Sequence, residues 1–240
     1  MVAAALAAAI IAGGTAGCGL LNISSSGHLM HRTTPLRTQT AAQIARRAIT
    51  DLGKVRSVHI RGTVSDSHER YWVNLRLVRG LGCSGRIARS GRGSFRVIKI
   101  GNTVWYKPDS KFLHGITSDP AALGVLSGKY LKVSAKHRVA IARFCRPQAW
   151  VKMLRKNLRE ARLVRDGEAR LAGRPAIRLT DAVKSGTVYV SLHGKPELLR
   201  LAGGEGRYVG SLEFTGYGVR VKLHRPPASK TLDGRRFGLH

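Results

Sequence analysis

Thirteen carboxylates, nine histidines and three cysteines hold most of the reactive chemistry open to this 240-residue chain. General acid–base work needs two carboxylates that folding can bring face to face. None of the 13 is spaced for it, and Asp166 and Glu168 merely flank a turn glycine. A metal site needs His, Cys or Asp clustered at ligand spacing. The histidines are dispersed, and His28 and His31 sit in a stretch rich in Ser and Thr. Gly80-Leu81-Gly82-Cys83-Ser84-Gly85 has the spacing of a dinucleotide fingerprint, which works only between a strand and a helix N-terminus. Arg86-Ile87-Ala88-Arg89-Ser90-Gly91 beyond it reads as a strand, so the glycines are taken as a tight turn. Gly82-Cys83-Ser84-Gly85 also lacks the spacing of a nucleophile elbow. No catalytic residue, metal or cofactor is assigned, and the chain is not read as an enzyme.

The cysteines are more informative. From Val2 to Gly17 there is no charge, only Ala, Ile, Leu, Gly and similar residues, over about 16 positions, short of the roughly 20 that a spanning helix needs. The run ends in small residues, as a secretory cleavage region does. Thr15-Ala16-Gly17-Cys18 resembles the bacterial lipobox, in which small residues precede a cysteine that is diacylated and becomes the mature N-terminus. Leucine is usual where Thr15 stands, and a basic n-region is missing. Residues 1–18 are thus read as a lipoprotein signal with Cys18 as the lipidation site; a plain secretory signal or a short uncleaved anchor are the alternatives. Two acyl chains on one cysteine suffice for stable anchoring. Residues 19–37, with Ser, His and Thr and then Pro35, are read as a flexible tether. In an exported chain the remaining pair, Cys83 and Cys145, is expected to form a disulfide, with two free thiols as the alternative.

The elements that would position these groups follow from periodicity. Ala41, Ile44, Ala45, Ala48, Ile49 and Leu52 recur at helical spacing, Thr40 and Gln43 stand as a capping box, and Gly53 supplies the stop. Val58, Ile60, Gly62 and Val64 then alternate as a strand. Tyr71, Val73, Leu75 and Leu77 alternate against Asn74 and Arg76, and Phe95 to Ile100 and Thr103 to Tyr106 continue an antiparallel meander. Asp119-Pro120 begins a short helix that stops near Gly128, Lys129 to Val133 reads as a strand, and Val139 to Phe144 and Pro147 to Leu158 as helices. Turn signals every eight to twelve residues beyond residue 161 imply more antiparallel sheet, including strands at Val209 to Phe214 and Val219 to Leu223. Pro226-Pro227 ends the last one, and the basic tail at 229–240 is taken as disordered. With no linker in view, residues 38–228 are read as one α+β domain, a strongly curved antiparallel sheet (a half-open β-barrel) with helices on its concave face.

The formal net charge of +29 attracts polyanions and says nothing about fold. Its arginines are scattered singly along strands (Arg76, Arg79, Arg86, Arg89, Arg96), which favours a solvated face. Nucleic acid is not expected as a partner, because aromatics make up only 6% of the chain, no stacking platform shows, and export removes the target.

Leu171-Ala172-Gly173-Arg174-Pro175-Ala176-Ile177-Arg178-Leu179, Val188-Tyr189-Val190-Ser191-Leu192-His193-Gly194-Lys195-Pro196, Pro226-Pro227 and Ile98 to Lys107 resemble the actinobacterial LppX/LprG group of lipoproteins, relatives of the LolA carrier. The resemblance implies a half-open barrel whose helices close a hydrophobic cavity, and a role in binding or carrying lipids outside the plasma membrane. The sheet face also offers more apolar positions than three short helices need. Ile60, Val64, Val73, Leu75, Leu77, Val97, Leu179 and Val190 are therefore the candidate cavity lining, with closure into a dry core as the alternative. The reading is a monomeric lipoprotein at the extracytoplasmic face of the plasma membrane, held by its lipid anchor, whose partner is a lipid or glycolipid. The competing reading is a surface lipoprotein whose basic face holds anionic wall polymers or lipid headgroups, without a cavity.

Overall fold

Helix α1, Ala41–Leu52, forms where the helical spacing places it. Thr40 accepts from the Gln43 amide at 3.2 Å while the Gln43 side chain accepts from the Thr40 amide at 2.8 Å. Both halves of the capping box are thus made, and two otherwise orphaned N–H groups are satisfied. Its six apolar residues are all buried. The computed structural model describes residues 36–65, 69–134, 139–203 and 210–237. The expected signal, Cys18 and nearly all of the tether lie outside the described residues.

The strands are β1 (Ser57–Ser65), β2 (Arg70–Val78), β3 (Gly82–Arg89), β4 (Gly93–Ile100), β5 (Thr103–Pro108) and β6 (Tyr130–Ser134), then β7 (Leu163–Leu171), β8 (Arg174–Asp181), β9 (Thr187–Ser191), β10 (Leu198–Ala202), β11 (Leu212–Thr215) and β12 (Thr231–Asp233). They form one curved, unclosed sheet in the order β12-β6-β5-β4-β3-β2-β1-β11-β10-β9-β8-β7. Each half of the chain makes a meander, and the antiparallel pairing of β1 with β11 joins the two. At that seam Gly62 holds φ +138°, and a Cβ there would stand 1.9 Å from the Ser211 carbonyl oxygen, so only glycine lets the two backbones meet.

Alternation sorts the two faces. Phe214, Ile60, Leu75, Gly85, Val97, Tyr106 and Leu131 lie side by side across seven strands on the inner face. One residue along, Glu213, Arg61, Asn74, Arg86, Arg96 and Lys107 make the matching row on the outer face. The inner face is covered by α1 and by α2 (Ser110–His114), α3 (Pro120–Leu126), α4 (Val139–Phe144) and α5 (Pro147–Leu158), whose buried residues share one core with the strands. Helix α2 has no strong sequence period; it exists because the Asp109 carboxylate accepts from the Phe112 amide at 2.9 Å and from Ser94 of β4.

Three expectations need correction. The glycine run through Cys83 is not a turn: the reversal is at residues 79–81, and Gly82 to Gly85 already belong to β3. Gly85, at φ +155°, serves a close approach, since a Cβ would stand 2.0 Å from the Asn74 carbonyl oxygen. Residues 219–223 alternate but form no strand; the chain there meets β1 at its first residue, where the Gly218 amide donates to the Ser57 carbonyl at 3.0 Å and the Ser57 hydroxyl donates to the Val219 carbonyl. Residues 229–237 of the expected loose tail are ordered. Thr231–Asp233 adds a parallel edge strand to β6, a partner that sequence pattern alone does not disclose.

Candidate functional site

Helix α5 is fastened at several points yet leaves a gap beneath it. Cys145, two residues before its start, is bonded to Cys83 of β3, S–S 2.01 Å. Gln148 donates to the Gly53 carbonyl at 3.0 Å, and Arg155 donates to Thr50 Oγ1 at 2.9 Å, which ties both ends of α5 to α1. Trp150, Val151 and Leu154 point into the core. Between α5, the end of α4 and the β1–β2 ends, the packing does not close.

The space left is a cavity of about 430 Å³, lined by Val64, Ser65, Tyr71, Arg143, Phe144, Ala149, Trp150, Lys152, Met153 and Lys156. That falls within the range of about 300–1,000 Å³ typical of small-molecule sites. One wall is aromatic. Tyr71 and Phe144 have ring centroids 5.5 Å apart, Phe144 and Trp150 5.9 Å, and the Trp150 indole donates to the Phe144 carbonyl at 2.8 Å. These rings are therefore held in place rather than free to collapse inward. A second cavity of about 140 Å³ adjoins it, lined by Ile49, Leu158, Leu163, Val188, Leu201 and Leu212 with Asp181 and Asn157 among others. Val64 and Met153 line both, so the two follow one another under α5. Met153, flexible and unbranched, stands where they meet.

Charge at this site is one-sided. Among the described residues, Arg143, Lys152 and Lys156 line the larger cavity and no carboxylate does. Glu69 is near by, since Tyr71 donates its hydroxyl hydrogen to the carboxylate. Hydrogen bonds from Arg89 first and from Tyr71 second hold the Glu69 carboxyl below the usual carboxylate range, and its charge is matched by Arg89 and, at 3.8 Å, Arg92. Among the described residues no group of three His, Cys, Asp or Glu could hold a metal.

Of the eight residues expected to line a cavity, Val64 lines both of these two. Ile60, Val73, Leu75, Leu77, Val97, Leu179 and Val190 are completely buried in the packed core. The six apolar side chains of α1 are buried in that same core. The residues sequence reasoning missed are Tyr71, Phe144, Trp150 and Met153, with the basic set on α5. The apolar set Trp150, Val151, Met153, Leu154 and Leu158 was legible, but not which member would face a gap. Cys83 and Cys145 are joined; Cys18 lies outside the described residues.

The protein is thus of the class in which a half-open sheet and a few helices enclose an apolar cavity at their margin. No family model matches the chain, and no curated protein matches it. Among solved structures, LprF from Mycobacterium bovis aligns with a TM-score of 0.54 at 12% identity, over 78% of this chain and 96% of that one. Lipoprotein LppX from Mycobacterium tuberculosis aligns at 0.48 with 13% identity, over 77% and 98%. A LolA superfamily protein from Nitrosomonas europaea aligns at 0.24 with 10% identity, over 80% and 96%. The chain has the LprF-like fold, and the half-open architecture that the resemblance to the LppX/LprG group implied is the one present.

Proposed function

We propose that this protein is an extracytoplasmic lipoprotein, anchored through Cys18 and monomeric, that binds or carries a lipid or glycolipid with its hydrocarbon chain under α5. The observation that carries the reading is the pair of successive cavities, about 430 and 140 Å³, that share Val64 and Met153. Such a path suits something long and thin better than a compact polar substrate. Burial of each methylene contributes about 0.8 kcal/mol, so about ten buried methylenes are needed to reach the roughly 8 kcal/mol of micromolar affinity without a polar contact. The family resemblance points the same way.

The test is mass spectrometry of organic extracts from the tag-released domain, purified without detergent and washed at low and at high salt. A discrete lipid that survives the high-salt wash is expected, because apolar burial is not screened. Met153→Trp, which places an indole where the cavities meet, should lower the lipid recovered severalfold while leaving the thermal midpoint near that of the wild type. Loss of all lipid in high salt would favour simple adhesion to the outer arginine row, and absence of lipid under every condition would end the carrier reading.

A further inference from the structure

The larger cavity contains polar groups that a bare hydrocarbon would leave idle. Ser65 Oγ is buried there and, among the described residues, has no hydrogen-bond partner. An unpaired buried hydroxyl is destabilising, and natural sequences keep one mainly where something else completes it. Lys152 and Lys156 stand one helical turn apart on the face of α5 that borders the same space. Like charges at this spacing work against the helix. Among the described residues neither lysine is ion-paired: Arg155 between them is taken up by Thr50, and Glu160 pairs with Lys184 at 2.8 Å. Arg143 adds a third cation, its guanidinium 5.2 Å from the Phe144 ring centroid.

Aromatic walls, a buried hydroxyl and cations that, among the described residues, meet neither a hydrogen-bond partner for the one nor a lining carboxylate for the others together fit an amphiphile whose polar end is negative. We propose that the ligand of this site is an anionic lipid, its acyl chain directed past Met153 and its phosphate or carboxylate held at the mouth by Lys152 and Lys156, with the Ser65 hydroxyl donating to one of its oxygens. The inference rests on the cavity being a lipid site and adds the headgroup's charge.

The experiment compares phosphatidylglycerol with phosphatidylcholine of identical acyl chains, by equilibrium exchange into the delipidated full domain at moderate salt. Wild type should prefer the anionic lipid by about tenfold or more, the range of a charge-assisted contact. Lys152→Glu/Lys156→Glu should abolish that preference while phosphatidylcholine still binds, and Ser65→Ala should reduce it in part. Arg86→Glu/Arg96→Glu, on the outer face, changes the net charge by the same amount and should leave the preference intact. Equal affinity for the two lipids in the wild type would overturn the headgroup proposal and leave the lipid site standing. Equal loss in both charge-reversed variants would overturn it too, since the preference would then come from net charge. If neither lipid enters, both readings fall together.

Discussion

Opening the disulfide should loosen the site more than any single substitution in its lining. The bond joins Cys83 in β3 to Cys145, two residues before Pro147 starts α5, and both are buried. Its partners are 62 residues apart, so the bond removes about 14 cal/mol/K of loop entropy from the unfolded chain, or about 4 kcal/mol at 25 °C in the chain-entropy model. For a domain of this size 1 kcal/mol shifts the midpoint by about 2–4 °C. Reduction, or Cys83→Ala/Cys145→Ala, should therefore lower the thermal midpoint by about 8–16 °C. The alanine variant adds a small cavity of its own, so reduction of the wild type is the cleaner measurement. Differential scanning calorimetry with and without reductant gives the number, and thiol titration in denaturant confirms that the bond has opened. A second consequence follows from position: Phe144, next to Cys145, forms the cavity wall with Tyr71 and Trp150. Reduced protein still folded at 25 °C should hold lipid more weakly than oxidised protein. A shift below about 2 °C, with thiols shown to be free, would refute the reasoning, because the β3–α5 link would then not be constraining the unfolded chain.

Gly62→Ala should be among the most damaging single changes in the sheet. It forces a side chain into φ +138° and within 1.9 Å of the Ser211 carbonyl oxygen, a loss of about 3 kcal/mol or more, and chemical denaturation showing a loss under 1 kcal/mol would mean the seam can widen freely. Stability should also depend on acid through Glu69. Its native pKa is lowered by Arg89 and Tyr71, so the unfolded state binds the proton first as pH falls. This stabilisation is present in full above the ordinary value of 4.5 and is lost as pH falls from there through the lowered native value. Glu69→Gln should lower stability at neutral pH by about 1 kcal/mol, given partial exposure, and should flatten the decline below pH 4.5. Parallel curves for the two proteins would show that the carboxylate contributes nothing.

Local chemistry made much of this fold legible. The capping box at Thr40 and Gln43, the Asp119-Pro120 helix start and the alternation of β1, β2 and β4 all act within a few residues, where sterics and hydrogen bonds between neighbours settle the outcome. The glycines misled because positive φ was taken to mean reversal. In β3 it serves close backbone contact with the adjacent strands, Gly85 with Asn74 of β2 and Gly82 with Lys99 of β4. Residues 219–223 and Thr231–Asp233 show the same limit in opposite directions: one alternates but forms no strand, the other finds an edge on β6.

Residue types and spacing by themselves determined that the chain makes an amphipathic helix and a long run of half-buried strands, with Cys83 and Cys145 available for a bridge. Only tertiary structure decided where that sheet is left uncovered. The apolar positions chosen from alternation share a face, but whether each meets a helix or a void depends on how far α1 and α5 extend over it. That is settled by contacts such as Gln148 with Gly53 and Cys145 with Cys83, made across 95 and 62 residues of chain. A void is what packing fails to fill, and no single residue's neighbours in sequence can report it.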